Sequence, residues 1–357
     1  MARITRRSIR IVGIGARTPV GLSAPAAAAA VRAGVASMAD HPFMIDKAGA
    51  PMVVCMDPAL SAELGVADRI LELALSSARE ALAPVLERVR KLPRIRIILA
   101  LPEDRPRKPD GLVNTFAERF ISALGTDIPV HELTYHSLGH AGGLYCMEEA
   151  LSFINGGQGD LCLVGGVDSY FDAETLEWLD NLDQLHSEST IWGFCPSEGA
   201  GFCLLASSEF ASAHGLSAPI EVLAAASATE PNRINTETVC IGEGLSEAFK
   251  KTLVSLPLSQ QINHTICDMT GEPYRGNEYG FAMLRSARKF ADEADFHTPA
   301  DCWGDMGAAS GPLFAMLATL AAKKGYNPGP FTFLWASSPG GLRSAALLQA
   351  TAPHRRS

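Results

Sequence analysis

The sequence lacks a long apolar run and a surplus of positive charge. No stretch of about 18 apolar residues, the least that spans a membrane, occurs in the chain of 357 residues. The formal net charge at pH 7 is −9, and no basic cluster is dense enough to reverse it locally. Because nucleic acid is recognised by concentrated positive charge, we expect no nucleic-acid partner and no membrane span.

Paired cysteines are also missing. The eight cysteines are scattered singly, and none belongs to a Cys-x-x-Cys motif. Zinc sites and redox-active disulfides usually show such pairs, so we expect no metal and no other cofactor. Several cysteines lie in apolar segments and are interpreted as buried free thiols, which are typical of a reducing compartment and predict a cytoplasmic protein.

Apolar residues are abundant. They make up 47% of the chain against 19% charged residues, which indicates a globular protein with a large core. Apolar segments of strand length alternate with amphipathic helical segments twice along the chain, and this order predicts an α/β fold with buried mixed sheets. We place two similar halves at 1–210 and 218–357, with an irregular segment at 36–56, where Pro42 and Pro51 break regular structure.

One turn is the basis for predicting a site. The stretch 135–167 contains a Gly-rich turn at 139–143, an amphipathic helix and a short apolar strand at 161–164. Five apolar residues recur at helical spacing and form the predicted buried face of that helix: Leu144, Met147, Ala150, Leu151 and Ile154. His140 therefore lies on a tight turn at a helix N-terminus, where free N–H groups stabilise negative charge and where many folds hold a nucleophile. Cys146 lies inside the helix, and we interpret it as a core cysteine.

Several motifs match one family. The most specific is Gly-Phe-Cys-Pro-Ser-Glu-Gly-Ala-Gly at 193–201, and the segments 11–21, 68–82 and 242–245 follow the same family pattern. On these motifs the sequence resembles the β-ketoacyl synthases of the thiolase superfamily over nearly its whole length. The resemblance implies a thiolase-like α/β fold, with two similar βαβ-containing halves in a layered α-β-α-β-α arrangement, and a homodimer.

Three positions depart from the family pattern, and all three are catalytic in that family. His140 stands where the resemblance places the nucleophilic cysteine. Asp268 stands in place of the first active-site histidine, and Asp305 in place of the second. The loop 338–341 is also altered, to Ser-Pro-Gly-Gly. The scaffold motifs are therefore kept while the Cys-His-His triad is absent.

The three substituted side chains predict altered chemistry. A helix N-terminus disfavours a cation, so we expect His140 to be neutral. Condensation needs hydrogen-bond donors around a developing enolate, which the carboxylates of Asp268 and Asp305 would repel. The structural alternative is that each of these aspartates caps a helix or accepts a turn N–H, which is expected for Asp305 because it directly precedes a Gly-rich helix. One imidazole and two carboxylates can hold a divalent metal, but the spacing gives no support for coordination and we expect none.

Two functions fit this pattern. The first is a catalytically inactive β-ketoacyl-synthase-like protein that acts as a scaffold, adaptor or accessory subunit, either like a chain length factor or as a chaperone or adaptor of a type VI secretion effector. The second is an atypical acyltransferase, ketoacyl synthase or thioester hydrolase that uses His140 with Asp268 and Asp305. A partner protein, an effector or an acyl carrier protein, is expected to contact the exposed Pro-rich loop 102–110 and the acidic segment 172–190, where charged and large apolar residues are interleaved.

Overall fold

The computed structural model describes residues 7–106, 112–234 and 236–351. The strands in this part of the chain are β1 Ile9–Arg17, β2 Ala39–Ile45, β3 Pro51–Val54, β4 Ile95–Leu101, β5 Val130–Ser137, β6 Leu161–Ser169, β7 Glu198–Ser207, β8 Ile220–Thr229, β9 His264–Cys267, β10 Phe331–Ser337 and β11 Leu342–Ala350. The α-helices are α1 Ala24–Arg32, α2 Val66–Arg88, α3 Leu112–Leu124, α4 Gly142–Asn155, α5 Ala173–Asn181, α6 Ser208–Ala213, α7 Glu243–Leu253, α8 Pro273–Ser286, α9 Ala300–Trp303 and α10 Ser310–Lys324. The predicted alternation of strands and helices is confirmed.

Nine of these strands form one sheet, in the order β5-β4-β6-β7-β1-β8-β11-β10-β9. The pairs β4–β5, β4–β6 and β9–β10 are parallel, and the other neighbours are antiparallel. The strands up to β7 meet those from β8 onward through only two residue pairs, Arg10 with Glu221 and Ile11 with Ile220. This narrow junction lies between the predicted halves 1–210 and 218–357; that these halves are related units stays a prediction.

The helices cover the sheet in layers because successive strand residues point to opposite faces. In β4, Ile97 and Leu99 pack in the core with α2 and α3. Ile98 and Ala100 point the other way, into a core with α4 and α10 that also contains Leu334 of β10. A third core joins α7 and α8 to β8–β11. The helices α4 and α10 therefore pack between two parts of this one sheet, and α2 with α3 and α7 with α8 cover its outer faces. The order of layers is α-β-α-β-α, which confirms the predicted thiolase-like arrangement.

The prediction that the segment 36–56 is irregular is wrong. Its strands β2 and β3 form a separate antiparallel pair. Pro42 is tolerated because the paired residues are Ala39, Asp40 and Ile45, and the register shifts between Asp40 and Ile45, where Pro42 lies. A missing proline N–H in that interval removes no ladder hydrogen bond.

Glu198 gives the motif 193–201 a structural role in the fold. Its Oε2 lies 2.7 Å from Arg69 Nε and its Oε1 lies 2.9 Å from Arg69 Nη2, and both side chains are fully buried. Ser169 Oγ donates to the same carboxylate at 3.0 Å, as does the Asp57 N–H. A buried bidentate pair with every oxygen occupied fixes α2 against β7.

All eight cysteines are free, and seven of them are buried. Cys146 lies in the core around α4 and α10, as predicted, and burial raises the pKa of its thiol far above the ordinary value. Among the described residues, no helix is both long enough and apolar enough to cross a membrane.

The sheet edge at β5 carries a prediction about assembly. Among the described strands, β5 pairs with β4 alone, and the exposed residues of β5 include His131, Glu132 and Tyr135. An unpaired edge strand is an aggregation hazard that pairing with a two-fold copy removes. We predict a homodimer through β5, and sedimentation at micromolar concentration should show a species of twice the chain mass of 37.9 kDa. A species of 37.9 kDa alone, at every concentration tested, would contradict this.

Candidate functional site

His140 lies in a short 3₁₀ turn, Gly139–Ala141, between β5 and α4. Gly139 has φ +60°, and a Cβ at this position would come within 2.9 Å of Glu103 Cγ, so the turn requires glycine. The Ala141 N–H donates to Ser338 Oγ at 2.9 Å, and that hydroxyl donates to the Leu138 carbonyl at 2.5 Å. The turn is therefore held against the loop 338–341.

His140 forms a buried ion pair with Asp305. Its Nε2 lies 2.7 Å from Asp305 Oδ1 and 2.9 Å from Oδ2. Asp305 Oδ1 also accepts from the Tyr170 hydroxyl at 3.2 Å and from the Gly307 N–H at 2.8 Å. The Gly307 bond makes Asp305 the acceptor of a turn N–H, as one alternative predicted. The other alternative, a helix cap, is wrong because α10 begins after Ala309 and has no side-chain cap bond.

The contact with Asp305 opposes the prediction that His140 is neutral. Burial by itself lowers the pKa of His140, but the Asp305 carboxylate, by charge and by hydrogen bond, raises it above the ordinary value. Burial alone would raise the pKa of Asp305, yet His140 and Arg275 hold it well below its usual range. A carboxylate in direct contact outweighs the partial charge of a helix end, so the pair favours an imidazolium beside a carboxylate.

Asp268 does not join this pair. Its Oδ2 accepts from Arg275 Nη1 at 2.9 Å and from the Ser337 N–H at 2.8 Å, and its Oδ1 is buried without a partner among the described residues. Arg275 also donates through Nε to Glu272 at 2.9 Å. The structure thus brings His140 and Asp305 together and holds Asp268 in a second ion pair. Sequence reasoning missed Arg275, although its spacing of three from Glu272 at a helix start is a signal for such a pair.

An open cavity of about 470 Å³ lies beside the His140–Asp305 pair. Its lining includes the buried side chains of His140, Asp305 and Arg275 and the exposed side chains of Trp178 and Trp192. It therefore has a charged inner end and an aromatic outer end. Its volume is in the range of small-molecule sites, so His140 faces space that a ligand can enter.

The loop that begins at Pro102 covers part of this cavity rather than lying free in solvent. Pro102 is buried, and Arg105 Nη2 donates to Asp168 Oδ1 at 2.8 Å. The Arg105 guanidinium lies over the Tyr170 ring, 4.5 Å from its centroid. Asp168 Oδ2 accepts from the Ala308 N–H at 2.9 Å. The prediction of an exposed loop is wrong for Pro102, and its part at 107–110 lies outside the described residues.

The acidic segment 172–190 forms a wall of the same cavity. Asp172 caps α5 by accepting from the Thr175 N–H at 3.1 Å. Trp178 and Leu182 line the cavity while 37% and 50% of their surfaces are exposed. The segment that is expected to contact a partner is therefore also a wall of the cavity, and Trp178→Ala would change both.

The three predicted site residues do not converge as a metal site, because Arg275 occupies the carboxylate of Asp268. A different set, Glu230, Cys240 and Glu278, has ligand atoms within 4.8 Å of one another in the described part of the chain. Glu278 Oε1 is bound by Arg343 at 2.6 Å, and Glu230 Oε2 accepts the Gly244 N–H of α7 at 2.7 Å. These contacts give both carboxylates structural roles.

Similarity to known proteins is confined to folded shape. No family model and no curated protein matches the sequence. The solved structure of the ishigamide ketosynthase/chain length factor aligns with a TM-score of 0.79 and 18% identity, over 98% of this chain and 100% of that chain. A type II polyketide acyl-carrier protein in complex with its ketosynthase bound to the hexaketide gives 0.77 and 16%, over 97% and 100%. A β-ketoacyl synthase from Burkholderia phymatum STM815 gives 0.76 and 15%, over 97% and 100%.

Proposed function

We propose that this protein, which has the thiolase-like fold of the ketosynthases, is a non-condensing relative that serves as an accessory subunit. The observation that carries the proposal is the buried ion pair between His140 and Asp305. The sequence resemblance implies that residue 140 corresponds to the family nucleophile. The fold supplies a shape that partners recognise, and the cavity supplies a binding site. Neither property depends on covalent chemistry at residue 140.

The ion pair makes His140 a poor nucleophile. An imidazolium has no free lone pair, and removing its proton would leave the buried Asp305 carboxylate without its cation. The Nε2 atom already faces Asp305, and Nδ1 is buried with no hydrogen-bond partner among the described residues. Attack on a thioester would therefore have to disrupt the interactions that hold the residue in place.

The surroundings also fail to provide what condensation requires. An enolate needs donors aimed at its oxygen. Pro339 lines the cavity and has no N–H. The N–H groups of Ala141 and Gly340 already donate to Ser338 and Glu103. These two backbone donors beside the cavity are thus used within the protein.

A protein partner fits this arrangement. One structure of similar fold is an acyl-carrier protein in complex with its ketosynthase, and another is a ketosynthase/chain length factor. They support an acyl carrier protein or a ketosynthase subunit as the partner in the accessory role. A type VI secretion effector is the other partner hypothesis, and it rests on the sequence resemblance alone.

One observation favours a catalytic alternative. An imidazole that is oriented by a carboxylate on one nitrogen and has an unpaired second nitrogen is the geometry of a general base. His140 has this geometry next to an open cavity. A thioester hydrolase of this kind would require His140 to lose its proton, which the raised pKa opposes.

The proposal is tested with a variant that removes acid–base chemistry but keeps the shape of the site, His140→Gln with Asp305→Asn. We expect this variant, with an unchanged circular dichroism spectrum, to retain the native partner in a pull-down from the source cell and to restore the phenotype of a deletion strain. Glu87→Gln, an exposed change on α2, is the matched control. A folded variant that keeps the partner but does not restore the phenotype would show that the chemistry of the pair is required, and the protein would be an enzyme.

A further inference from the structure

Glu103 is a carboxylate of the cavity wall without an ion-pair partner among the described residues. In that part of the chain it accepts only the Gly340 N–H, at 2.9 and 3.1 Å. Four other lining carboxylates lie in ion pairs: Asp305 with His140, Asp168 with Arg105, Glu272 with Arg275 and Asp183 with Lys47. Glu103 therefore differs from these four in having no cation in direct contact within the described structure.

The outer part of the cavity provides aromatic surface. The rings of Tyr170 and Tyr274 are already covered by the guanidinium groups of Arg105 and Arg275. Trp178 and Trp192 have no such cation over their rings in the described structure, and 37% and 62% of their surfaces are exposed. Indole faces accept both apolar chains and cations.

We propose that the cavity binds an alkylammonium group, with the cation at Glu103 and the alkyl chain along the indoles of Trp178 and Trp192. This inference rests on the proposed function, since a condensing site would need the same cavity for acyl thioesters. A buried carboxylate is stabilised when a cation replaces the water that it has lost. An anionic ligand would add a second negative charge next to Glu103 and would be repelled.

The surroundings of the Glu103 carboxylate also favour a cationic ligand over an anionic one. Burial raises the pKa of Glu103, although His140 and the Gly340 N–H partly offset this. Burial therefore disfavours the charged form of Glu103, and a cation beside it would favour that form. The volume of about 470 Å³ is sufficient for a short chain with one ammonium group.

The test compares three ligands of equal chain length by calorimetric titration: octylammonium, octanol and octanoate. We expect octylammonium to bind most tightly and octanoate most weakly. Glu103→Gln keeps an acceptor for the Gly340 N–H and should weaken octylammonium binding about tenfold or more, as the loss of a charge-assisted bond predicts. Octanol binding should not change, which shows that the cavity is intact. Glu87→Gln, far from the cavity lining, should leave all three affinities unchanged.

A second titration distinguishes two sources of the ammonium group, a lysine side chain of a partner and a free amine. It uses a short blocked peptide with one lysine. Tighter binding of this peptide than of octylammonium, lost in Glu103→Gln, would identify a lysine side chain of a partner; the reverse order would identify a free amine. Octanoate binding as tightly as octylammonium, or octylammonium affinity unchanged in Glu103→Gln, overturns the inference. Those results leave the proposed function standing, because that proposal fails only if the chemistry of the His140–Asp305 pair proves to be required.

Discussion

Asp305→Ala should lower the free energy of unfolding by about 3–5 kcal/mol between pH 3.8 and 6.5, the typical loss when one member of a buried ion pair is removed. The change leaves the His140 imidazolium without its carboxylate and deprives the Tyr170 hydroxyl and the Gly307 N–H of their acceptor. Denaturant unfolding followed by circular dichroism measures the difference. Arg119→Ala, which breaks an exposed pair with Asp68, is the matched control and should cost at most about 1 kcal/mol.

The effect of the ion pair on stability should depend on pH. Because folding raises the pKa of His140, its contribution is fully present below the ordinary value of 6.5 and is lost as the pH rises through the raised value. Because folding lowers the pKa of Asp305, its contribution is fully present above the ordinary value of 3.8 and is lost as the pH falls through the lowered value. The stability difference between wild type and His140→Gln should therefore be largest between these two ordinary values. A difference that grows toward alkaline pH would show that His140 is neutral in the folded protein.

His140→Cys is expected to give no condensing enzyme. The new thiol would lie beside Asp305, whose carboxylate would have lost its cation and would raise the pKa of the thiol. Asp268 would still be bound by Arg275 and could not donate a hydrogen bond to an enolate. Slow acylation of the new cysteine is the most that we expect, and intact-protein mass spectrometry with an acyl thioester detects it. Catalytic turnover by this single variant would show that the two aspartates do not block the reaction.

Local sequence patterns predicted the helices and strands well because the spacing of apolar residues reflects the repeat of each element. The helical spacing from Leu144 to Ile154 and the apolar run at 161–164 correspond to α4 and β6. The segment 36–56 was missed because prolines predict breaks, whereas a two-stranded pair with an irregular register tolerates them. Strand pairing depends on partners elsewhere in the chain, which local composition does not reveal.

The site was predictable in part, because its residues could be named from the sequence but their contacts could not. His140 and Asp305 were named from the family pattern, and they do meet, although 165 residues separate them in the chain. For His140 alone the predicted charge state is opposed by the structure, because a helix end is visible in the local sequence and a contact at 2.7 Å is not. Arg105 and Glu103 were missed because only the folded chain shows which charges are paired. Arg275 was missed although its spacing from Glu272 indicated an ion pair.

The most direct test of a non-condensing site is an assay of the purified wild-type protein with acyl and malonyl carrier-protein thioesters. We expect no condensation product above the rate without protein, and the same result for His140→Ala. Product that forms with wild type and disappears with His140→Ala would contradict the proposal and would establish an enzyme that uses His140.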